Sequence, residues 1–358
     1  MEINLTNYFE QLKSVLPNNR VLLCPLDWGL GHASRMIPII SILLKLKFEV
    51  IIAGSGRSLI LLKREFPELG FVDFPFVEIR YAKGRWQFFY FLFRAPIFFL
   101  AIVKEHFLLK SIVRNNRIAL IISDNRFGLW HKNIFSIYFT HQYMIKLPPF
   151  LRFLESFVHS VHRFFIQKYS MCFIPDFEGN ENLGGDLSHK YPCASNTKYC
   201  GILSRFRKDD ATIETQGFIL VILSGPEPQR TFLENQLYNI AIQSDLKFTF
   251  VAGKTESEEQ YFDHSIEYYS FLTSANLMEK IKSAEIVISR AGYSTICDLY
   301  AMNKKAILIP TPGQTEQEYL ANHLFNHYFF RFVSQYNSHF EKRFWEAMQE
   351  LKLKQLTV

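Results

Sequence analysis

Short apolar runs recur along this chain, and between them lie stretches whose apolar positions return every three or four residues. Residues 21–26, 49–53, 118–123 and 134–139 are runs of Val, Ile, Leu and Phe, and 218–223, 247–251, 285–289 and 306–309 repeat the pattern in the second half. Such continuous runs suit strands buried on both faces of a parallel sheet. Helical spacing fills the intervals at 33–46, 149–169, 228–243, 275–282, 294–302 and 316–327. This alternation predicts an α/β protein with helices covering parallel sheets.

The pattern repeats in two halves. In each, an early strand runs into a glycine-bearing loop that opens a helix: Asp27-Trp28-Gly29-Leu30-Gly31-His32 in the first, Ser224-Gly225-Pro226-Glu227 in the second. Two Rossmann-like domains in tandem are the simplest reading, and the length of 358 residues suits two domains. The polar run 204–216 reads as the join. The expected division is a first domain at 1–204, a linker at 205–216, a second domain at 217–337, and a final helix at 338–358 crossing back onto the first domain. The opening 20 residues lack the basic-then-apolar order of a signal peptide and read as a short capping segment.

Composition adds two constraints. Hydrophobic residues make up 48% of the chain, enough for real cores. Its five cysteines, Cys24, Cys172, Cys193, Cys200 and Cys297, include no Cys-x-x-Cys pair, which fits reduced, mostly buried thiols of a cytoplasmic protein and gives no zinc-ligand spacing. The net charge of +6 is unevenly spread, because residues 80–117 hold eight Lys or Arg against the single acid Glu105, and ten aromatics besides. Nucleic acid would need a recognisable binding motif, and none accompanies the charge. The apolar run 86–103 approaches the length of a membrane span, but Arg94 opposes insertion and Pro96 is expected to break the helix. Two helical pieces lying in an anionic membrane interface, or lining a groove for a lipid, fit better; the alternative is a core helix with ordinary surface charge. Residues 149–169 repeat the theme, with Arg152, Arg163 and Lys168 among Phe and Leu.

The first glycine loop nearly matches a dinucleotide fingerprint, with Ser34 at the third glycine position. Gly29 and Gly31 let a phosphate approach the backbone at the helix start. His32 stands at that helix N-terminus, where the dipole favours its neutral form, and it suits either deprotonation of an acceptor hydroxyl or binding of an acceptor phosphate. Arg35, one turn in, adds positive charge. His141 and Asp124 each follow a strand at the carboxyl edge of the expected sheet and are the alternative bases, or else caps of the next element.

Residues 289–299 read Ser-Arg-Ala-Gly-Tyr-Ser-Thr-Ile-Cys-Asp-Leu. A strand ending at Ser289 and a small-residue turn opening a helix would present backbone N–H groups and the hydroxyls of Ser294 and Thr295 to a diphosphate. Asp298 lies a turn further on, where a carboxylate can accept from two ribose hydroxyls. Residues 310–319, Pro-Thr-Pro-Gly-Gln-Thr-Glu-Gln-Glu-Tyr, form a polar loop leading into another helix.

This pair of segments resembles the nucleotide-sugar-binding half of GT-B glycosyltransferases. In particular it resembles the family of the bacterial N-acetylglucosaminyltransferase that makes lipid II, with its family-28-like C-terminal domain and relatives acting on diacylglycerol. Gly29-Leu30-Gly31-His32 resembles that family's N-terminal glycine-histidine loop, and residues 224–230 stand where it has a second glycine-rich loop. Residues 27–35, 123–126, 140–142 and 224–230 look like a bacterial branch of these transferases. The resemblance implies a GT-B fold, with two Rossmann-like domains facing across a cleft.

Carried over by position, it also implies roles. Ser294, Thr295 and the Gly292 backbone hold the donor diphosphate, with Ser224 and Gly225 beside them. Asp298 takes the place of a ribose-binding glutamate. Gln317 and Glu318 fall at the donor sugar, with Gln314 also on the donor side, Phe271 and Leu272 near the uracil, and Arg230 and Arg290 neutralise the diphosphate. Gly29, Gly31, His32 and Arg35 belong to the acceptor side. Two departures stand out: Pro226 and Pro228 remove amide donors from the second loop, and Asp at 298 is one methylene shorter than Glu.

The function expected from these residues is transfer of a sugar, N-acetylglucosamine being one candidate, from a UDP-sugar to a lipid-linked or membrane-proximal acceptor, a lipid-linked or glycan partner. The resemblance implies inversion at the anomeric carbon with no cofactor and no metal; the chain has no Asp-x-Asp, and Asp176-Phe177-Glu178 reads as a solvated turn or cap. The expected location is the cytoplasm, peripheral at the inner face of the cell membrane. A sugar-nucleotide epimerase or hydrolase of the same fold, or a non-catalytic nucleotide-sugar-binding protein, would share the donor half.

Overall fold

The computed structural model describes residues 2–74, 87–206, 217–325 and 329–353, with side chains from residue 96 in the helix that begins at 87. The chain divides into two units, Met1–Leu203 and Ser204–Val358.

In the first unit the elements run α1 (Leu5–Val15), β1 (Arg20–Cys24), α2 (Leu30–Lys45), β2 (Glu49–Gly54), α3 (Gly56–Glu65), β3 (Gly70–Asp73), α4 (Gln87–Asn116), β4 (Leu120–Asp124), β5 (Phe135–Phe139), a 3-10 turn (Pro149–Leu154), α5 (Glu155–Ile166), β6 (Met171–Ile174), α6 (Asp186–His189) and β7 (Thr197–Tyr199). The strands form one sheet in the order β3-β2-β1-β4-β5-β6-β7, parallel throughout. Leu22, Leu23, Ile121, Ile122 and Ile137 have no exposed surface, as strands covered on both faces require.

The second unit runs β8 (Phe218–Ile222), α7 (Gln229–Ile242), β9 (Lys247–Val251), β10 (Gln260–Asp263), β11 (Ile266–Tyr269), α8 (Ser274–Ser283), β12 (Ile286–Ser289), α9 (Tyr293–Ala301), β13 (Ala306–Leu308), α10 (Thr315–His323), β14 (Phe330–Phe332) and α11 (Phe340–Leu353). Its sheet has the order β10-β11-β9-β8-β12-β13-β14, parallel except for the antiparallel β10–β11 pair at the edge. The chain steps one way from β8 to β9 and the other way from β11 onward. Right-handed crossovers therefore place α8, α9 and α10 on one face and α7 on the other. In both sheets the order reverses beside the first strand, between β1 and β4 and between β8 and β12. That is where an open α/β sheet opens a crevice at its carboxyl edge.

Four expectations are corrected. Pro96 does not end its helix: α4 runs unbroken from Gln87 to Asn116 with the proline inside it. A proline deletes one intrahelical bond, and the packing of Leu109 and Val113 against the sheet holds the remainder. The apolar face of the helix at the C-terminus is committed within the second unit. Phe340, Phe344, Ala347, Met348 and Leu351 join the core of the second sheet with Leu233, Leu237 and Phe250, beside α7. The opening segment is a helix, α1, capped by the Asn4 side chain on the Asn7 amide and burying Phe9. Asp176 is a buried clamp, not a solvated turn: its carboxylate accepts from the amides of Phe177, Leu183 and Gly184 and from the Ser188 hydroxyl. Residues 80–86 of the basic stretch, 207–216 of the expected linker and 354–358 lie outside the described residues.

α5 is built inside out. Its buried positions are Glu155, His159, His162 and Ile166, while Phe153 of the preceding turn, Phe157, Val161 and Phe164 are exposed. Glu155 and His159 are satisfied: Glu155 accepts from Lys190 and the Leu147 amide, and His159 Nδ1 lies 3.2 Å from the Tyr143 carbonyl oxygen, whereas the buried Nδ1 of His162 has no partner among the described residues. α4 is apolar on both sides. Leu109 and Val113 face the core, while Phe99, Leu100, Val103 and Phe107 face out. β3-to-β4 and β5-to-β6 crossovers run in the same direction, so α4 and α5 share one face of the sheet. Trp130 lies between them, against His106 of α4 and beneath Lys168 just past α5.

Candidate functional site

At the reversal point of the first sheet, four side chains meet. Asp124 is the last residue of β4, His141 stands two residues past the end of β5, and His32 and Arg35 lie in the first two turns of α2. The turn into α2 depends on Gly29, whose φ of 116° and ψ of 166° suit a residue without a β-carbon. Asp124 has no exposed surface. Its Oδ2 lies 2.8 Å from His32 Nδ1, and its Oδ1 accepts from Arg35 Nε at 2.8 Å. Arg35 also reaches His141 Nδ1, and its Nη2 comes within 2.6 Å of His32 Nδ1.

His32 Nδ1 can serve only one of these neighbours at a time. A lone pair turned toward the carboxylate would be repelled, so the proton belongs on Nδ1, donated to Asp124, and Nε2 carries the free electron pair. Burial lowers the His32 pKa, and the Arg35 cation lowers it further against the opposing pull of Asp124. Burial tends to raise the Asp124 pKa, but Arg35 and His32 overcome it, and the net direction is down. The result is a neutral imidazole held by an ionised carboxylate, an arrangement suited to accepting a proton at Nε2. Asp124 and His141, read from the sequence as rival bases, sit around His32 and Arg35 as partners.

The second unit places the other candidates at its own reversal point and on the α8–α10 face. Gly292 is the N-cap of α9 and makes no side-chain cap, so the helix start presents its backbone dipole beside Ser294 and Thr295. Phe271 and Leu272 lead into α8. Gly225, with φ of 104°, approaches the 310–314 loop closely enough that a β-carbon there would lie 3.7 Å from Thr311 Oγ1. Gln314 precedes α10. Gln317 and Glu318 turn back on their own loop, accepting from the amides of Thr311 and Gly313 at 2.8 and 2.9 Å. They brace the turn that carries Gln314.

Three residues sit differently from expectation. Arg230, expected on the diphosphate, is buried and held by Glu227 and Glu234, each at 2.6 Å. Arg290 is buried beneath the loops. It donates to the carbonyls of Ile309, Pro310 and Gln229 and to Gln335 Oε1, and burial lowers its pKa to about 9. It ties four loops together from below, and among the described residues no carboxylate pairs with it. Asp298, expected to hold ribose, has its carboxylate filled by Ser204 and Arg205, the residues at the head of the second unit.

Two residues of this region were not among the sequence candidates. Arg205 lay inside a polar run read as a join. Thr311 is buried with its hydroxyl unpartnered beside Gly225. The Pro-Thr-Pro-Gly context of Thr311 was its only signal. Among the described residues no group of His, Cys, Asp and Glu is arranged to hold a metal ion, and no helix is long and apolar enough to cross a membrane.

The fold is GT-B, two Rossmann-like units in one chain. It is similar to the spinosyn rhamnosyltransferase SpnG complexed with thymidine diphosphate (TM-score 0.60, 12% identity, 93% of this chain and 91% of that one). It is similar as well to Acinetobacter baumannii MurG (TM-score 0.52, 11% identity, 94% and 92%).

Residues 218–357 match the glycosyltransferase family 28 C-terminal domain, so the second unit carries a domain of that type. Among curated proteins, the chain is 32% identical over 123 residues to the UDP-N-acetylglucosamine--N-acetylmuramyl-(pentapeptide) pyrophosphoryl-undecaprenol N-acetylglucosamine transferase of Campylobacter jejuni subsp. doylei. That match spans 33% of this chain and 36% of the relative, about a third of each. The enzyme of the same name from Helicobacter pylori is 22% identical over 261 residues, 70% of this chain and 68% of that protein.

Proposed function

We propose that this protein is a glycosyltransferase that moves a sugar from a UDP-sugar, N-acetylglucosamine being the first candidate, to a lipid-linked acceptor at a membrane surface. The observation that carries the reading is the family 28 match over 218–357, which includes the turn from Ser289 to Asp298. Several relatives matching there are named for a UDP-N-acetylglucosamine donor and an undecaprenol-linked acceptor.

In this reading the donor lies along the α8–α10 face. The α9 N-terminus, with Ser294 and Thr295, meets the diphosphate, and Phe271 and Leu272 meet the base. His32 Nε2 takes the proton of the acceptor hydroxyl while that oxygen bonds to the anomeric carbon. The anomeric bond to the diphosphate breaks and UDP leaves with the electron pair. Attack opposite the leaving group inverts the anomeric carbon. The helix dipole at α9 stabilises the departing charge without requiring a metal.

The acceptor side rests on the inverted α5. A helix that buries Glu and His and exposes Phe has its apolar stripe unpartnered in water, and α4 adds a second stripe on the same sheet face. Lys104 and Lys110 of α4, with Arg152 and Lys168 at the two ends of α5, are exposed among these rings. Aromatic rings interleaved with cations match the interface of an anionic bilayer. Trp28, next to Gly29, packs edge-on against Phe98 of α4, which joins this ridge to the His32 loop.

The test has two parts. Thermal-shift screening against UDP-, GDP- and dTDP-sugars should show selective stabilisation by a UDP-sugar. Incubation of that donor with membrane lipid extract should then release UDP and label a lipid. Donor turnover without any acceptor would instead identify an epimerase or hydrolase, and binding without turnover a non-catalytic protein.

A further inference from the structure

Asp298 cannot hold a ribose in the state described. Its side chain is 5% exposed and receives four hydrogen bonds: Oδ1 from Ser204 Oγ (2.8 Å) and the Arg205 amide (3.0 Å), Oδ2 from Arg205 Nε (3.0 Å) and Nη2 (2.8 Å). An ionised carboxylate offers about four acceptor directions, and all are in use. The guanidinium occupies the space as well as the lone pairs. It lies on the Phe206 ring, with its carbon 5.0 Å from the ring centroid, and its Nη1 is 3.5 Å from the Ser274 hydroxyl. Ser274 is the first residue of α8, two past Leu272. Arg205 thus stretches from the carboxylate at the α9 end to the start of α8, across the corner that the proposed function gives to the nucleoside.

We infer that Ser204 and Arg205 form an autoinhibitory latch: they occupy the nucleoside corner by binding Asp298, and a sugar nucleotide must displace them to enter. The inference rests on the donor site proposed above. The two ligands of Asp298 are alternatives because both present a pair of donors to the same two oxygens, one a guanidinium fork and the other the 2′- and 3′-hydroxyls of ribose. Donor affinity then depends on how often the latch is open, the apparent dissociation constant being the intrinsic one divided by the open fraction. A latch closed about nine-tenths of the time weakens binding about tenfold. The fork geometry matters here, since a lysine at 205 would keep the charge but hold one oxygen at a time.

The experiment is calorimetric titration of the full chain with UDP, uridine and 2′,3′-dideoxyuridine. Arg205→Ala should tighten UDP, uridine and dideoxyuridine by the same factor, about tenfold, because the guanidinium fills the corner whichever of them enters. Arg205→Lys should fall between the two, and it serves as the measurement if the alanine variant folds poorly. Arg205→Ala binding UDP no more tightly than the wild type overturns the latch. So does a loss confined to UDP with uridine unaffected, which would make Arg205 a phosphate ligand. If the wild type binds no UDP but Arg205→Ala does, the latch is supported in its strongest form. If neither binds, the donor reading fails and the latch fails with it.

Discussion

Replacing Asp124 by asparagine tests the chemistry at its centre. The side chain is fully buried, and its two oxygens serve different partners, His32 at 2.8 Å and Arg35 at 2.8 Å. Asparagine keeps the shape and one acceptor oxygen but removes the charge. If the oxygen stays on Arg35, the amide nitrogen faces His32 Nδ1 and donates to it. The imidazole proton then moves to Nε2, the atom that must be empty to accept from the acceptor hydroxyl. General-base catalysis contributes about 10²–10⁴ in rate, so kcat should fall by about that factor.

Removing one member of a buried ion pair costs about 3–5 kcal/mol, and the retained Arg35 bond puts Asp124→Asn at the lower end, near 3 kcal/mol. Denaturant titration of the variant checks that figure, and donor release is assayed under conditions where the variant stays folded. His32→Ala should lose as much, and the double variant no more than either alone, because the two side chains act as one unit. Donor affinity should not change in any of the three. A variant Asp124→Asn that turns over within threefold of wild type, or a double variant whose losses multiply, would refute the dyad.

The remaining predictions concern other parts of the molecule. Because burial and Arg35 lower the His32 pKa below its ordinary 6.5, the imidazole stays neutral as pH falls to that value; the acid limb of kcat should lie below pH 6.5, as a pH–rate profile would show. Phe153→Ser with Phe157→Ser should weaken sedimentation with anionic vesicles by roughly thirtyfold or more, from ~1–2 kcal/mol per ring, while leaving the thermal midpoint near wild type because both rings are exposed. On the Arg205→Ala background, where the latch is already open, Asp298→Ala should weaken UDP binding, read by the same titration as the latch variants. Gly128→Ala should destabilise the first unit by about 1–3 kcal/mol in denaturant titration, since its β-carbon would overlap the Ile102 carbonyl oxygen of α4.

Much of the frame was legible from apolar runs. The eight strands read from the sequence appear as β1, β2, β4, β5, β8, β9, β12 and β13, with ends shifted by a residue or two, because strands buried on both faces leave an unbroken hydrophobic signature. Short edge strands escaped: β3, β7, β10 and β14 are three or four residues long and half-exposed in part, so their sequences carry no run. α5 was visible as a helix, but the burial of its Glu and His runs against any hydrophobicity rule.

At the site, residue types and the strand-ends carrying Asp124 and His141 could be read along the chain. Which side chains touch could not, since His32 and Asp124 are 92 positions apart. Arg230 and Arg290 show the limit of reading cations as anion ligands. Burial committed one to Glu227 and Glu234, whose i−3 and i+4 spacing was a local signal, and the other to carbonyl oxygens, which leave none.

Gly128 brings the backbone beneath α4 so near that no side chain fits between them, and Trp130 is wedged between α4 and α5 a few residues on. The ridge of outward-facing rings therefore cannot rock independently of the sheet. Whatever grips those rings takes hold of the whole Met1–Leu203 body and sets its tilt, so the histidine edge meets its surroundings at an angle the protein has already chosen.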